Sequence, residues 1–490
     1  MKLRVKRSKV VLRPDCSRVF FRPFEPGSRE RVLRILARVT ALSEAEAERE
    51  SRQVLNDFVK RHQRARDFLL QRFAAVEEQL ITDHPLSECR KLLIGAHFTL
   101  EYSLEAAALF NPSIVPHPDQ SNLPKGHQRF ILSLRATGEG HVSSIVFRQG
   151  VVDAEGNIEV HPPAPFVTVP EVHLDPTYEK QLFERKLIEL GLLNPFIQSV
   201  LAQLPEYFQA SEVQAVLDAS LRGNHGLSAK EQEAADDILA LVRGNYEIDF
   251  TDTRCPSERV IFPNTPAESR GIEDARFVAF REEDGSACYY ATYTAFDGRV
   301  PLPQLLKTED FVHFKISTLN GPQVQNKGMA LFPRRVNGHY AMLSRQDGEN
   351  LFLMYSDLLY FWYEKRLLLR PTLPWEFVQV GNCGSPIETE AGWLVLTHGV
   401  GPMRRYVMGA ILLDLDDPER VIGRLPEPLL TPNEEEREGY VPNVVYSCGA
   451  MVHHDRLILP YAMSDQSTTF ATVPLNDLLD ELVQHPPQRL

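Results

Sequence analysis

The sequence predicts an all-β five-bladed β-propeller with an N-terminal α-helical extension and a helical insertion after the first blade. Three observations lead there. Apolar, aromatic-rich strands ending in a polar residue recur at 130–135, 289–294, 340–345, 393–398 and 456–461. The last four begin 51, 53 and 63 residues apart, close to the length of one four-stranded propeller blade. The wider gap between the first and second is filled by residues of helical pattern, and another helical stretch precedes the first strand. A β-sandwich with coincidental spacing is the alternative.

Taken in order, residues 1 to about 27 read as a strand and an irregular lead-in. Ser43-Glu44-Ala45-Glu46 has the spacing of a capping box. Beyond it Val54, Leu55, Phe58, Val59, Phe68, Leu69, Phe73, Val76 and Leu80 keep near-helical spacing. A second amphipathic stretch over 89–108 carries Leu92, Leu93, Ala96, Leu100 and Leu104 on one side. Two apolar stripes need a cover, so these helices are expected to pack on each other, on the main domain or on another subunit. The domain boundaries follow: a helical extension over 1–108 and a propeller over 109–490, with an inserted helical segment from about Pro176 to Arg243. Two more capping-box spacings, Ser211 to Gln214 and Ser228 to Glu231, mark that segment. After Asn245 the chain returns to strands.

Composition narrows the function. With 490 residues, 43% apolar and 24% charged, the chain reads as a globular protein of more than one domain, and no run approaches a membrane span. The opening residues have a basic start but only a brief apolar patch before Pro14, unlike a secretory leader. The six cysteines are scattered without a CxxC pair, which points to reduced thiols in the cytoplasm and away from a disulfide framework or a zinc site. A net charge of −13 argues against nucleic acid as partner, yet leaves room for a small anion in a local basic pocket. Phosphate-binding glycine loops and the GxSxG nucleophile pattern are absent where a strand-to-helix turn would need them. His453-His454-Asp455 could suggest a metal, but adjacent residues of a strand point to opposite faces, so a solvated turn is expected.

Chemistry concentrates at strand ends. The stretch 271–299, GIEDARFVAFREEDGSACYYATYTAFDGR, reads as a hairpin with Glu273, Asp274 and Arg276 at its entry and Asp297-Gly298-Arg299 at its exit. Asn326-Lys327 precede the third recurring strand, Arg345 and Asp347 follow it, His398 ends the fourth, and Asp465 lies just past the fifth. A propeller gathers loops from every blade around one axis. Residues so distant in sequence can then share a site, and one or two carboxylates among several cations suit an anionic reactant plus a proton donor. Each taken singly reads more readily as a surface charge or a structural ion pair than as a catalytic group.

These stretches resemble glycoside hydrolase family 130, the β-mannoside phosphorylases and related β-mannosidases. The resemblance rests on GIEDARF at 271–277, YYATYTAFDG at 289–298 and NKGMALFPRRVNGHYAMLSRQDGENL at 326–351. It continues through GWLVLTHGV at 392–400, MGAILLDLDDPERVIGR at 408–424 and GYVPNVVYSCGA at 439–450, with ALFNPSIVP at 108–116 in the expected first blade. It implies a five-bladed propeller and inverting phosphorolysis of a β-mannoside or manno-oligosaccharide to α-mannose 1-phosphate. It also implies Asp274 as general acid, relaying its proton through a sugar hydroxyl. Lys327, Arg299, Arg345 and His398 are then expected to hold phosphate, and Asn111, Ser113, Arg135, Glu273, Arg276, Asp347 and Asp465 to contact the sugar. Inorganic phosphate is the co-substrate; no cofactor, metal, nucleic acid or membrane is implied. An inverting β-mannosidase of the same family and a non-catalytic sugar-binding propeller are the alternatives. Self-association through the helical segments is the remaining expectation.

Overall fold

The computed structural model describes residues 3–80, 84–173, 177–221, 228–251 and 253–486, and over these the chain is mostly β with helical parts. It opens with strand β1 (Lys6–Leu12) and strand β2 (Val19–Pro23), followed by helices α1 (Arg29–Thr40), α2 (Glu44–Phe58), α3 (Ala65–Glu77) and α4 (Glu88–His97). Ser43 and Glu46 form the reciprocal capping box that starts α2, and Ser28 and Ser87 cap α1 and α4. The apolar stripes cover one another: Leu36, Val39, Ala47, Phe73, Val76, Leu93, Ile94 and Phe98 make one buried cluster.

The amphipathic stretch at 89–108 does not stay helical. It ends at His97, and strand β3 (Thr99–Ser103) pairs antiparallel with β2. Thr99 and Tyr102 favour a pleated surface, and the open edge of β2 supplies it with partners. The continuous helical spacing from Val54 to Leu80 is likewise divided between α2 and α3.

The main body is built from antiparallel meanders. Strands β4 (Ala108–Pro116), β5 (Gln128–Thr137), β6 (Ser143–Val152) and β7 (Ile158–Val160) form the first. Strand β8 (Glu171–His173) leads into a mostly helical segment: β9 (Thr177–Glu179), α5 (Lys180–Glu189), α6 (Pro195–Ala202), β10 (Tyr207–Gln209), α7 (Ala210–Leu221) and α8 (Ala229–Val242). Pro176, the expected start of this segment, lies outside the described residues. The segment has its own core, with Phe183, Leu187, Val200, Phe208, Val213 and Ile238 buried together. Ser228 caps α8 with the expected box. Ser211 instead falls inside α7, whose first turn is fastened by Glu212 accepting from Gln209 N at 2.7 Å.

The β region then resumes with β11 (Tyr246–Asp249), β12 (Val260–Ile261), β13 (Gly271–Arg281), β14 (Ala287–Phe296), β15 (Pro301–Thr308) and β16 (His313–Thr318). The meander β13–β16 is linked to the first by β12 against β6 and by one parallel bridge, Gly271 to Ser143. Next come β17 (Ala330–Leu331), β18 (Tyr340–Ser344), β19 (Leu351–Ser356) and β20 (Arg366–Leu369) as one sheet. Strands β21 (Gln379–Asn382), β22 (Ile387–Thr389), β23 (Gly392–Val400), β24 (Tyr406–Leu413) and β25 (Val421–Arg424) form another. The last consists of β26 (Val445–Tyr446), β27 (Met451–His453), β28 (Arg456–Met463) and β29 (Ser467–Pro474), before helix α9 (Leu475–Gln484). Its outer strand is β1, paired antiparallel with β29.

Apolar side chains on both faces of these sheets meet their neighbours. Phe147 and Ile131 pack with Phe277 and Tyr293; Phe280 and Tyr290 with Met342 and Met354; Leu343 and Leu353 with Trp393 and Val395. Leu396 and Leu412 pack with Leu457 and Val473, and Ile458 and Phe470 with Phe130 and Leu132. The residues before β4 are tied to this body by a buried charge triad. Glu105, fully buried, lies 2.8 Å from Arg18 Nε and 2.6 Å from Arg148 Nη2. Arg18 also donates to the carbonyls of Ala164 and Ser257. Removing one member of such a set strands the others in low dielectric. Glu105→Ala is therefore expected to lower the unfolding free energy by about 3–5 kcal/mol in urea titrations.

Candidate active site

Two strands bend out of register where the site is built. In β13 the pairing slips between Glu273 and Arg276, and in β4 it slips between Phe110 and Ser113. Asp274 and Asn111 occupy these bulges in the left-handed region, with φ of 54° and 48°. Asp and Asn tolerate that conformation better than most residues, but it still costs about 1 kcal/mol and needs support. The supports are specific. Ser113 Oγ accepts from Phe277 N at 3.0 Å, and Ser143 Oγ donates to Ile272 O at 3.0 Å, fixing the backbone on either side of the β13 bulge. Gly271 is required there: with φ of 130°, a Cβ would lie 2.4 Å from Ser143 Oγ.

The bulges point Asn111 and Asp274 at each other, and Asn111 Nδ2 donates to Asp274 Oδ1 at 2.6 Å. Arg135, on the neighbouring β5, places Nη2 2.8 Å from Glu273 Oε1 and Nη1 3.4 Å from Asp274 Oδ1. Lys327, about half exposed, reaches Glu273 Oε2 at 3.5 Å. Arg276 is wholly buried; it donates to the carbonyl of Asp274 and to Tyr446 Oη at 2.7 Å. The Tyr446 ring meets His398 edge-on at 5.0 Å between centroids. His398 Nε2 lies 3.0 Å from Arg345 Nη1 and 2.9 Å from the Gln379 amide. The loop carrying Lys327 rests on the same arginine: Gly328 lies against Arg345, and Asn326, with φ of 62°, donates to the carbonyls of Arg345 and Gln346. Gly381 admits this packing, since a Cβ there would lie 2.5 Å from His398 Cε1.

Electrostatics set three protonation states. Burial alone would raise the Asp274 pKa, but Arg135, Arg276 and Lys327, with the Asn111 hydrogen bond, outweigh it and hold the carboxyl down at about 2. His398 is driven well below its usual value by burial and by the charges of Arg345 and Arg276, so it is a neutral imidazole. Asp465, half-buried in the β28–β29 turn, is pushed up to about 6, by burial first and then by the charge of Asp274. Several buried polar atoms here have no protein partner among the described residues, namely Asn111 Oδ1, Arg135 Nε, Arg345 Nε, His398 Nδ1 and Asn382 Oδ1. A polar ligand with many acceptors and hydroxyls suits such a lining.

The structure thus brings together Asp274, Glu273, Arg276, Asn111, Arg135 and Lys327, and links them through Tyr446 to His398 and Arg345. Asp465 joins them through charge, feeling both Asp274 and Arg135. Ser113 is fully buried and spent on the β13 backbone, which makes it a support of the bulge. Arg299 and Asp347 are not joined to the group by any hydrogen bond or ion pair among the described residues. Arg299 is exposed after β14, and its charge reaches Asp237 of α8. Asp347 is exposed and closes its own turn, accepting from the backbone of Glu349 and Asn350. The sequence reading passed over Tyr446, Gln379 and Asn382. Tyr446 stood inside the quoted 439–450 motif, but nothing in a string marks which aromatic of a strand faces inward.

Comparison with known proteins follows the same stretch. Residues 245–484 match a family model described as β-1,4-mannooligosaccharide phosphorylase. A 1,2-β-oligomannan phosphorylase of Thermoanaerobacter sp. is 38% identical over 228 residues, covering 45% of this chain and 73% of that protein. A β-1,2-mannobiose phosphorylase of Listeria innocua serovar 6a is 32% identical over 231 residues, covering 45% of this chain and 63% of that protein. A solved β-1,2-mannobiose phosphorylase from Listeria innocua, in complex with β-1,2-mannobiose, covers 78% of this chain and 93% of that one at 23% identity, with a TM-score of 0.45.

The raised Asp465 pKa has a measurable sign. The native chain keeps this proton up to about pH 6, whereas the unfolded chain loses it near 3.8, so ionisation of the half-buried group opposes folding above that window. Asp465→Asn is expected to raise the melting temperature at about pH 8 and to leave it nearly unchanged at about pH 4, read by scanning calorimetry.

Proposed function

Starting from a chain that belongs to the glycoside hydrolase 130 family, we propose that it is a β-mannoside phosphorylase. The observation that carries this is the imbalance at Asp274. Asp274 sits among Arg135, Arg276 and Lys327, with Glu273 paired to two of these cations and with Arg345 and the neutral His398 beyond. An inverting hydrolase needs a second carboxylate free to activate water. Here Glu273 is engaged by Arg135 and Lys327. A positive pocket is instead suited to orienting a dianionic nucleophile.

In this reading phosphate rests against Lys327, Arg345 and His398, and the sugar lies over Asn111, Arg135 and Asp465. A phosphate oxygen attacks the anomeric carbon from the face opposite the leaving group. The C1–O glycosidic bond breaks as the C1–O–P bond forms, and the departing oxygen receives the proton that Asp274 supplies through a sugar hydroxyl. The product is α-mannose 1-phosphate. Asp274 is ionised in the free protein. A bound dianion offsets the cations that hold its pKa down, so arrival of the nucleophile loads the acid with its proton.

Five inter-sheet cores join the meanders in cyclic order, the last closing onto the first, which supports a five-bladed propeller over 109–490. The site draws on β4, β5, β13, β21, β23 and β26 and on the turns after β18 and β28, as loops gathered about one axis would. The helical segments at 1–108 and about 176–243 are then an extension and an insertion. Their stripes are covered internally, so the fold does not require self-association through them.

The hydrolytic alternative draws on Asp465, a carboxyl pushed up to about 6 beside Asp274. Turnover of β-mannobioses is expected to require phosphate and to yield mannose 1-phosphate; equal turnover in phosphate-free buffer, releasing mannose, would establish the hydrolase. Asp274→Asn is expected to lower kcat by about 10²–10⁴, whereas a non-catalytic sugar binder would show no turnover to lose. The coupling has its own measurement. On phosphate binding at about pH 7, the native chain is expected to take up more protons than Asp274→Asn, read by calorimetry in buffers of different ionisation enthalpy.

A further inference from the structure

Where the inserted helices meet the edge of the β13–β16 meander they leave a cleft of about 950 Å³, within the size range of small-molecule sites. It shares none of the residues of the Asp274 cluster. Its inner end holds Lys186 of α5, whose side chain is 5% exposed. The ammonium donates to Leu319 O at 2.9 Å, and no carboxylate among the described residues lies within 4 Å of it. Glu189 is the acid whose charge reaches it, and that carboxylate is already engaged by Gly321 N. Two N–H donors on a buried cation are thus unspent. Burial lowers the lysine to about 8, which still leaves it mostly charged at neutral pH.

The other walls suit a carbohydrate. Tyr178 and Tyr360 line the cleft half-buried, and the Tyr178 ring is backed by Phe208 at 5.7 Å between centroids, so the cleft is bordered by aromatic surface that suits the C–H face of a pyranose. Beside them the Thr318 hydroxyl, 5% exposed, has no protein partner among the described residues. A buried ammonium without a close counter-charge is costly, and an anion settles that cost more fully than a neutral hydroxyl does. We propose that this cleft is a second ligand site for a hexose monophosphate, with its phosphoryl group on Lys186 and its ring between Tyr178 and Tyr360. The anion and the ring follow from the cleft; the choice of mannose 1-phosphate as the hexose monophosphate rests on the phosphorolysis proposed above.

The test is calorimetric titration of mannose 1-phosphate into the full chain carrying Lys327→Ala and His398→Ala, which weakens the site at Asp274. One binding event is expected to persist. Adding Lys186→Met should weaken it at least about tenfold, the worth of a lost charge-assisted hydrogen bond. Mannose and inorganic phosphate, titrated separately, should each bind at least about tenfold more weakly than the sugar phosphate. Undiminished binding after Lys186→Met, or equal binding of mannose or of phosphate alone, overturns the proposal. If Lys186→Met does not fold by circular dichroism, Leu182→Trp, which narrows the cleft from its exposed wall, serves instead and must weaken binding likewise. Turnover of mannobiose with phosphate by chains bearing only Lys186→Met or Leu182→Trp, expected unchanged, separates the outcomes. Loss of the second site with turnover intact concerns the cleft alone, whereas no turnover in any chain concerns the phosphorolysis.

Discussion

A carboxylate outnumbered by cations organises the centre of this protein. Asp274 is ionised because Arg135, Arg276 and Lys327 outweigh its burial, and each of those cations is itself held by something further out. Arg276 is anchored on Tyr446, Arg135 on Glu273 and over the ring of Phe110, and Lys327 on Glu273. The field at Asp274 is thus the summed output of strands from opposite parts of the chain. It exists only when the sheets are docked against each other. Buried charge is expensive, and a fold that collects this much of it in one place has spent packing energy to do so.

Backbone geometry reports the same concentration. Asn111, Asp274, Asn326 and Asp465 all adopt the left-handed conformation without being glycine, and all belong to the candidate site. Bulges and tight turns at these positions trade local comfort for side-chain direction. Strain of this kind is tolerated where surrounding hydrogen bonds over-determine it, as those of Ser113, Ser143 and Arg276 do here.

How much of this was legible beforehand depended on range. Local signals carried far: the 271–299 hairpin, the capping boxes at Ser43 and Ser228 and the recurrence of the strands are short-range patterns, and the structure contains each of them. Asp274, Lys327, Arg345 and His398 could be nominated because the first two precede, and the last two close, a recurring strand. What the string could not convey was direction. Arg299 and Asp347 occupy similar positions along their strands, yet one is exposed near α8 and the other closes its own turn. The helix expected to run through Leu100 and Leu104 stops at His97, because the free edge of β2 is a tertiary partner invisible to periodicity. Nothing in the string distinguishes Lys186 from a solvated lysine of a helix; its burial depends on the β edge opposite it.

The pairing of β1 with β29 has a consequence for biosynthesis. Thr469 Oγ1 donates to the carbonyl of Val10, a contact across 459 positions. An emerging polypeptide must hold β1 unpaired until β29 has left the ribosome. The entropy of closing so long a loop grows only logarithmically, so this clasp is thermodynamically cheap but late. During that wait an exposed β edge is a target for chaperones or for a neighbouring nascent chain, and the yield of correctly joined molecules is then governed by timing rather than by final stability.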